Sequence, residues 1–133
     1  MRFLLDTDTL SFIARDASPA LMQRVGAIAQ ADLGISVVTR GEAEFGLAAR
    51  PPKRATLNRM RALMDTLPTL ALAADAIAHY VALRRKLEAG GTPIGANDMW
   101  IAAHALSQGM TLVTNNEREF RRVPGLQIEN WLR

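Results

Sequence analysis

The amino-acid sequence predicts one α/β domain over residues 1–133, with a mainly parallel sheet covered on both faces. Short apolar runs end abruptly in polar turns, as at Phe3-Leu4-Leu5-Asp6, which is how strands buried on both sides read. Segments with helical apolar spacing separate those runs, and alternating strands and helices build parallel sheets. No repeat, low-complexity tract or linker interrupts the chain, and 133 residues suffice for one real core.

The first strand is the run closed by Asp6, and a helix follows over residues 7–15 with Asp8 as its cap. Ser18-Pro19 opens a second helix, expected to reach about residue 32, because serine caps well and proline suits a first turn. Residues 33–38 are apolar and β-branched and read as strand two. Thr39 then caps a helix carrying Glu42, Phe45 and Ala49, which Arg50-Pro51-Pro52 stops. Leu57, Met60, Leu63 and Met64 mark a helix over residues 53–66. After Pro68, residues 69–72 form a short third strand. Residues 74–89 form a helix with Ile77, Val81 and Leu87 inward, ended by Gly90-Gly91. Asn97 or Asp98 caps the next helix, over residues 99–108, and Gly109 closes it. Residues 110–114 are strand four, 115–120 a turn or short helix, and 126–129 the last strand.

Composition narrows the function classes. With no cysteine, disulfides and thiolate metal sites are excluded. No apolar run approaches the ~20 residues that cross a bilayer. Met1 leads straight into the first strand without a charged stretch and apolar segment, so a cytoplasmic protein outside the membrane is expected. The formal charge is +3, and apart from Lys53 and Lys86 every basic side chain is arginine. An arginine-rich basic excess suits a phosphate-bearing partner as well as an ordinary solvated surface.

Four polar groups fall at strand ends or at the helix starts that follow: Asp6, Glu42, Asp98 and Asn116, with Glu117 and Glu119 beside the last. In a parallel sheet these ends face one edge, where α/β proteins bind ligands. Carboxylates sharing a pocket raise one another's pKa or hold a divalent cation. Oxygen donors without His or Cys favour Mg²⁺ or Mn²⁺ over Zn²⁺. Taken singly, each has a structural reading: Thr39 to Glu42 and Asn116 to Glu119 have capping-box spacing, and Asp6 and Asp98 suit helix caps. Taken together they indicate a site. His79 and His104 are too far apart for a local metal motif, and His104 reads as a packed residue. Trp100 and Trp131 read as core or interface, and no glycine-rich phosphate loop opens a helix. A receiver-like signalling domain would need an aspartate ending strand three and a later lysine. Here that strand runs into Leu72-Ala73-Ala74-Asp75, and no lysine follows Lys86.

Four stretches, in order and correctly spaced, carry a family resemblance over nearly the whole chain. They are Leu4-Leu5-Asp6-Thr7-Asp8, Ser36-Val37-Val38-Thr39-Arg40-Gly41-Glu42, Ile94-Gly95-Ala96-Asn97-Asp98-Met99-Trp100-Ile101-Ala102, and Leu112-Val113-Thr114-Asn115-Asn116 with Arg118-Glu119-Phe120 and Val123-Pro124-Gly125-Leu126. The sequence resembles the PIN-domain toxins of the VapC type. The resemblance implies a three-layer α/β/α sandwich with strand order like 3-2-1-4-5. It implies a Mg²⁺- or Mn²⁺-dependent endoribonuclease, the toxin of a type II toxin–antitoxin pair, cutting structured RNA such as transfer RNA. Asp6, Glu42 and Asp98 match the family's acidic positions, and Asn116 stands where an aspartate is frequent. Asn116 would then orient a water or a neighbouring carboxylate, with Glu119 supplying charge. Metal ligation is expected from Asp6 and Asp98, with Glu42 and Glu119 as further candidates. Arg84, Arg85, Lys86, Arg118, Arg121 and Arg122 are candidates to guide the RNA backbone. The implied partners are a VapB-type antitoxin, its tail in an apolar groove, and a second copy of the chain. The alternative is a catalytically weak PIN domain that binds RNA or a partner without turnover.

Overall fold

The computed structural model describes residues 2–132; Met1 and Arg133, the ends of the expected domain, lie outside them. Five short strands form one parallel sheet: β1 (Phe3–Leu5), β2 (Leu33–Ser36), β3 (Thr69–Leu70), β4 (Thr111–Val113) and β5 (Ile128–Glu129). Their order is β3-β2-β1-β4-β5, as the resemblance implied. Strand alternation divides the core. Phe3, Leu5, Ile35 and Val113 face one side, with Leu10, Leu21, Leu47, Met64 and Trp131. Leu4 and Leu112 face the other, with Leu83, Leu87, Ile101 and Phe120.

Among the described residues, seven α-helices supply those layers: α1 (Thr7–Ala14), α2 (Pro19–Ala27), α3 (Val37–Ala49), α4 (Arg54–Thr66), α5 (Ala76–Ala89), α6 (Ala96–Gln108) and α7 (Glu117–Phe120). α1, α2, α4 and the inner stripe of α3 cover the first face, and α5 and α6 the second. Trp131 closes the first face. Its ring meets Phe3 edge-on at 5.1 Å, and its Nε1 donates to Glu129.

Several boundaries differ from the sequence expectation, each for a local reason. Asp6, not Asp8, caps α1, accepting the Thr9 N–H at 2.9 Å. α2 ends at Ala27, and a 3-10 turn, Gln30–Asp32, leads into β2. β2 stops at Ser36, whose hydroxyl accepts the Val38 N–H, so the β-branched Val37 and Val38 start α3. Thr39 is therefore not a cap; it is buried in α3 and its hydroxyl has no partner. α6 starts at Ala96 after Gly95, so Asn97 and Asp98 lie inside its first turn and neither caps it. Ile77 and Val81 on α5 point outward, at 54% and 47% exposure, while Ala76, Leu83 and Leu87 face the core.

Candidate active site

The carboxyl ends of β1, β2 and β4 open onto a cleft of 140 Å³ lined by Asp6, Thr7, Asp8, Glu42, Asp98 and Asn116. Asp6 is buried where β1 ends, and its own N–H donates to Val113 O. Burial pushes its carboxyl above the usual range, and hydrogen bonds from Thr114 and Thr9 oppose that shift. Glu42 enters from the second turn of α3 and accepts a hydrogen bond from Asn97 Nδ2 at 3.3 Å.

Asp98 is the most perturbed group in the cleft. Desolvation, then the carboxylates of Glu119, Glu42 and Asp6, push its carboxyl up to about 7; a hydrogen bond with Glu119 adds to the rise. At neutral pH it therefore holds a proton much of the time. Glu119 also accepts the Gly95 N–H at 2.7 Å and the Asn116 side-chain amide. Asn116 thus spends its amide on Glu119 instead of capping α7. The Glu119 bond to Gly95 ties the start of α6 to α7, which places Asp98 beside Glu119.

The four expected groups and Glu119 are therefore brought together. Glu117 is held by Arg121 and Asn130 instead. The basic candidates are elsewhere: none lines the acidic cleft. Arg84 on α5 donates to Tyr80 and Glu88, and Arg85 and Lys86 are exposed. Arg118 is exposed on α7, while Arg122 donates to Pro93 O in the loop before α6. Sequence reading passed over Thr9, Thr114 and Asn97, which orient Asp6 and Glu42. Asn97 and Thr114 fall within the third and fourth motifs and Thr9 three positions after Asp6, but no sequence pattern marks any of them as an orienting partner.

Among the described residues, none of Asp6, Glu42, Asp98 and Glu119 pairs with an arginine or lysine. The donors are all oxygen, and Thr7 Oγ1, at the cleft, has no hydrogen-bond partner. No three acidic or histidine side chains among the described residues form a ready-made cage. A Mg²⁺ site does not need one, because that ion keeps several waters and uses one or two carboxylates. The residues fit such an ion by charge and donor type.

Thr7 and Glu42 also border a second, apolar cleft of 250 Å³ between α1, α3 and α4, lined by Ala43, Leu47 and Met60 with Arg15 and Arg50.

A five-stranded parallel sheet in an α/β/α sandwich, with unneutralised carboxylates gathered beyond its carboxyl edge, defines the class of this protein. The family model of the PIN domain matches residues 3–126. The chain is 33% identical over 131 residues to the tRNA(fMet)-specific endonuclease VapC of Salmonella typhimurium, covering 98% of both chains. It is 30% identical over 132 residues to ribonuclease VapC2 of Rickettsia felis, again covering 98% of both. The solved structure of VapBC2 from Rickettsia felis bound to a promoter DNA fragment contains a chain that superposes with a TM-score of 0.87 at 28% identity, covering 98% of this chain and 99% of that one. The chain belongs to the PIN-domain family, in its VapC-type branch.

Proposed function

We propose that this protein is a Mg²⁺- or Mn²⁺-dependent endoribonuclease acting as the toxin of a VapBC-type toxin–antitoxin pair, with structured RNA such as transfer RNA as substrate. The observation that carries this reading is the cluster of Asp6, Glu42, Asp98 and Glu119, packed closely enough to hold a proton at neutrality yet lacking any described cationic partner. The relatives' names point the same way: one is a tRNA(fMet)-specific endonuclease and another a ribonuclease.

Asp6 and Asp98 would hold the cation, with Glu42 and Glu119 completing its surroundings. When bound, such an ion supplies a water of lowered pKa and offsets charge on the phosphodiester. Thr9 and Thr114 fix the Asp6 carboxylate, so its position costs little to keep. Asn97 steadies Glu42, and the Asn116 amide orients Glu119. The proton on Asp98 must leave before its carboxylate can act as a ligand. Attack in line on phosphorus leaves a 5′-phosphate and a 3′-hydroxyl, as the family resemblance implies. Exposed arginines outside the cleft would position the backbone without reading sequence.

The test is cleavage of total transfer RNA by purified protein free of antitoxin, with Mg²⁺ or Mn²⁺ against EDTA, and with Asp6→Asn as control. Discrete fragments that disappear with chelator and with the variant are expected. Folded wild-type protein that leaves RNA intact would replace this reading with the non-cleaving one, which Asn116 favours.

The partners follow from two surfaces. The apolar cleft bordering Glu42 suits the tail of a VapB-type antitoxin, from which a basic side chain would reach the carboxylates. Val37 and Phe45 on α3, and Ile77 and Val81 on α5, leave apolar surface exposed on the helices flanking α6, with Phe45 at 75%. A second copy of the chain would cover it. Phe45→Glu is expected to shift the protein from dimer to monomer in sedimentation velocity. An unchanged dimer would move the interface elsewhere.

No helix among the described residues is long and apolar enough to cross a membrane.

A further inference from the structure

α3 carries Glu42 and α6 carries Asp98, so the width of the acidic cleft depends on how these helices are held together. Side-chain hydrogen bonds join them at two levels. At the cleft, Asn97 of α6 donates to Glu42 of α3 at 3.3 Å. Two turns further along α6, about 10 Å at 1.5 Å per residue, His104 Nδ1 lies 2.8 Å from the Ser36 hydroxyl at the start of α3. Both partners of this second bond are buried, His104 at 1% exposure and Ser36 fully. Neither was needed to explain the chemistry of the cleft.

The direction of the bond follows from the hydrogen-bond inventory. Ser36 Oγ accepts the Val38 N–H at 3.2 Å as the cap of α3. The hydroxyl has a single proton to donate, and His104 Nδ1, 2.8 Å away, is the acceptor within reach. The arrangement that satisfies both groups therefore has the serine donating and the imidazole accepting, with the ring proton on Nε2. Burial pushes the His104 pKa down, which keeps the ring neutral and leaves Nδ1 free to accept.

We propose that His104 is a positioning residue for this site: through the Ser36 hydroxyl it fixes the start of α3 against α6, and so sets the spacing of Glu42 and Asp98 across the cleft. Asn97 alone does not set it, since that bond is at the exposed mouth and is 3.3 Å long. The buried pair is the anchor. A misplacement of about 1 Å in such a site is enough to cost on the order of a hundredfold in rate.

The proposal rests on the nuclease reading for its effect on turnover, and its test separates the two. In the wild-type protein, ¹⁵N spectra of the imidazole are expected to show the Nε2–H tautomer with an accepting Nδ1, and Ser36→Ala should abolish that signature. A protonated Nδ1 overturns the proposal whatever the protein does to RNA. His104→Phe, checked for folding by its thermal transition, is expected to lower kcat about tenfold with KM for RNA unchanged, and to weaken Mn²⁺ binding several-fold. His104→Asn, which retains an acceptor, should recover part of both. Folded His104→Phe with wild-type kcat and Mn²⁺ affinity overturns the proposal. If the wild-type protein does not cleave RNA, the nuclease reading falls and the Mn²⁺ affinities decide the positioning role. A wild-type protein that neither cleaves nor binds Mn²⁺ overturns both.

Discussion

Asp98→Asn is expected to lower kcat/KM for RNA by at least about a hundredfold, the scale of losing one group that stabilises developing charge. The same change is expected to stabilise the metal-free protein at pH 7. The carboxyl is raised from 3.8 to about 7, first by desolvation and then by Glu119, Glu42 and Asp6. Between those two values the folded chain binds more protons than the unfolded one, so stability falls as pH rises. A shift of that size has a ceiling of about 4 kcal/mol. The cleft is open to solvent, and screening reduces the cost of the ionised form to about 1–2 kcal/mol. Asparagine removes the charge and keeps the shape. In EDTA, thermal scans should place the variant about 3–8 °C above wild type at pH 7. The gap should narrow as pH falls from 7 and close below 3.8, where Asp98 is protonated in both states. Equal midpoints at pH 7 would mean that its neighbours do not strain Asp98.

Trp131→Ala should have the largest effect on stability. The indole is 2% exposed, and it meets Phe3 of β1 edge-on at 5.1 Å. Arg24 lies 5.6 Å from the indole ring and also pairs with Glu129, so the ring joins α2 to β5. Emptying such a site costs about 3–5 kcal/mol, a large share of the 5–15 kcal/mol that holds an ordinary domain together. Urea unfolding should show a much lower midpoint with an unchanged slope. A shift below about 1 kcal/mol would mean that the core collapses to fill the space.

Much of the fold was legible because its signals are local. Apolar runs closed by polar residues marked β1 and β4, and Ser18-Pro19 marked the start of α2. The alternation of strands and helices gave a parallel sheet, and the family motifs gave its order. Errors arose where tertiary context overrode propensity. Val37 and Val38 have strong β preference, yet the Ser36 cap turns them into a helix. The apolarity of Ile77 and Val81 predicts core positions, yet they form part of an exposed face.

The acids were legible as residues at strand ends, but their individual roles were not. A capping box and a ligand set share the same spacing, and only the folded chain shows that Asn116 addresses Glu119 and that Asp6 both caps α1 and borders the cleft. Thr114 and Asn97 reach Asp6 and Glu42 across sequence distances that no motif covers, whereas Thr9 stands three positions after Asp6, at ordinary cap spacing. Arg118, Arg121 and Arg122 adjoin the fourth motif in sequence, and that does not put them into the cleft.

The acidic cluster draws on four separate stretches, with Asp6 and Glu119 near opposite ends of the sequence. The central strand pair that seats Asp6, β1 with β4, joins equally remote segments, and Thr9 bonds Val113 across 104 positions. No early portion of a chain leaving the ribosome contains an assembled cluster. The site comes into existence only after β4 and α7 have been made. A truncated or stalled product is therefore expected to be harmless, and an antitoxin made alongside would meet its target when the site first forms.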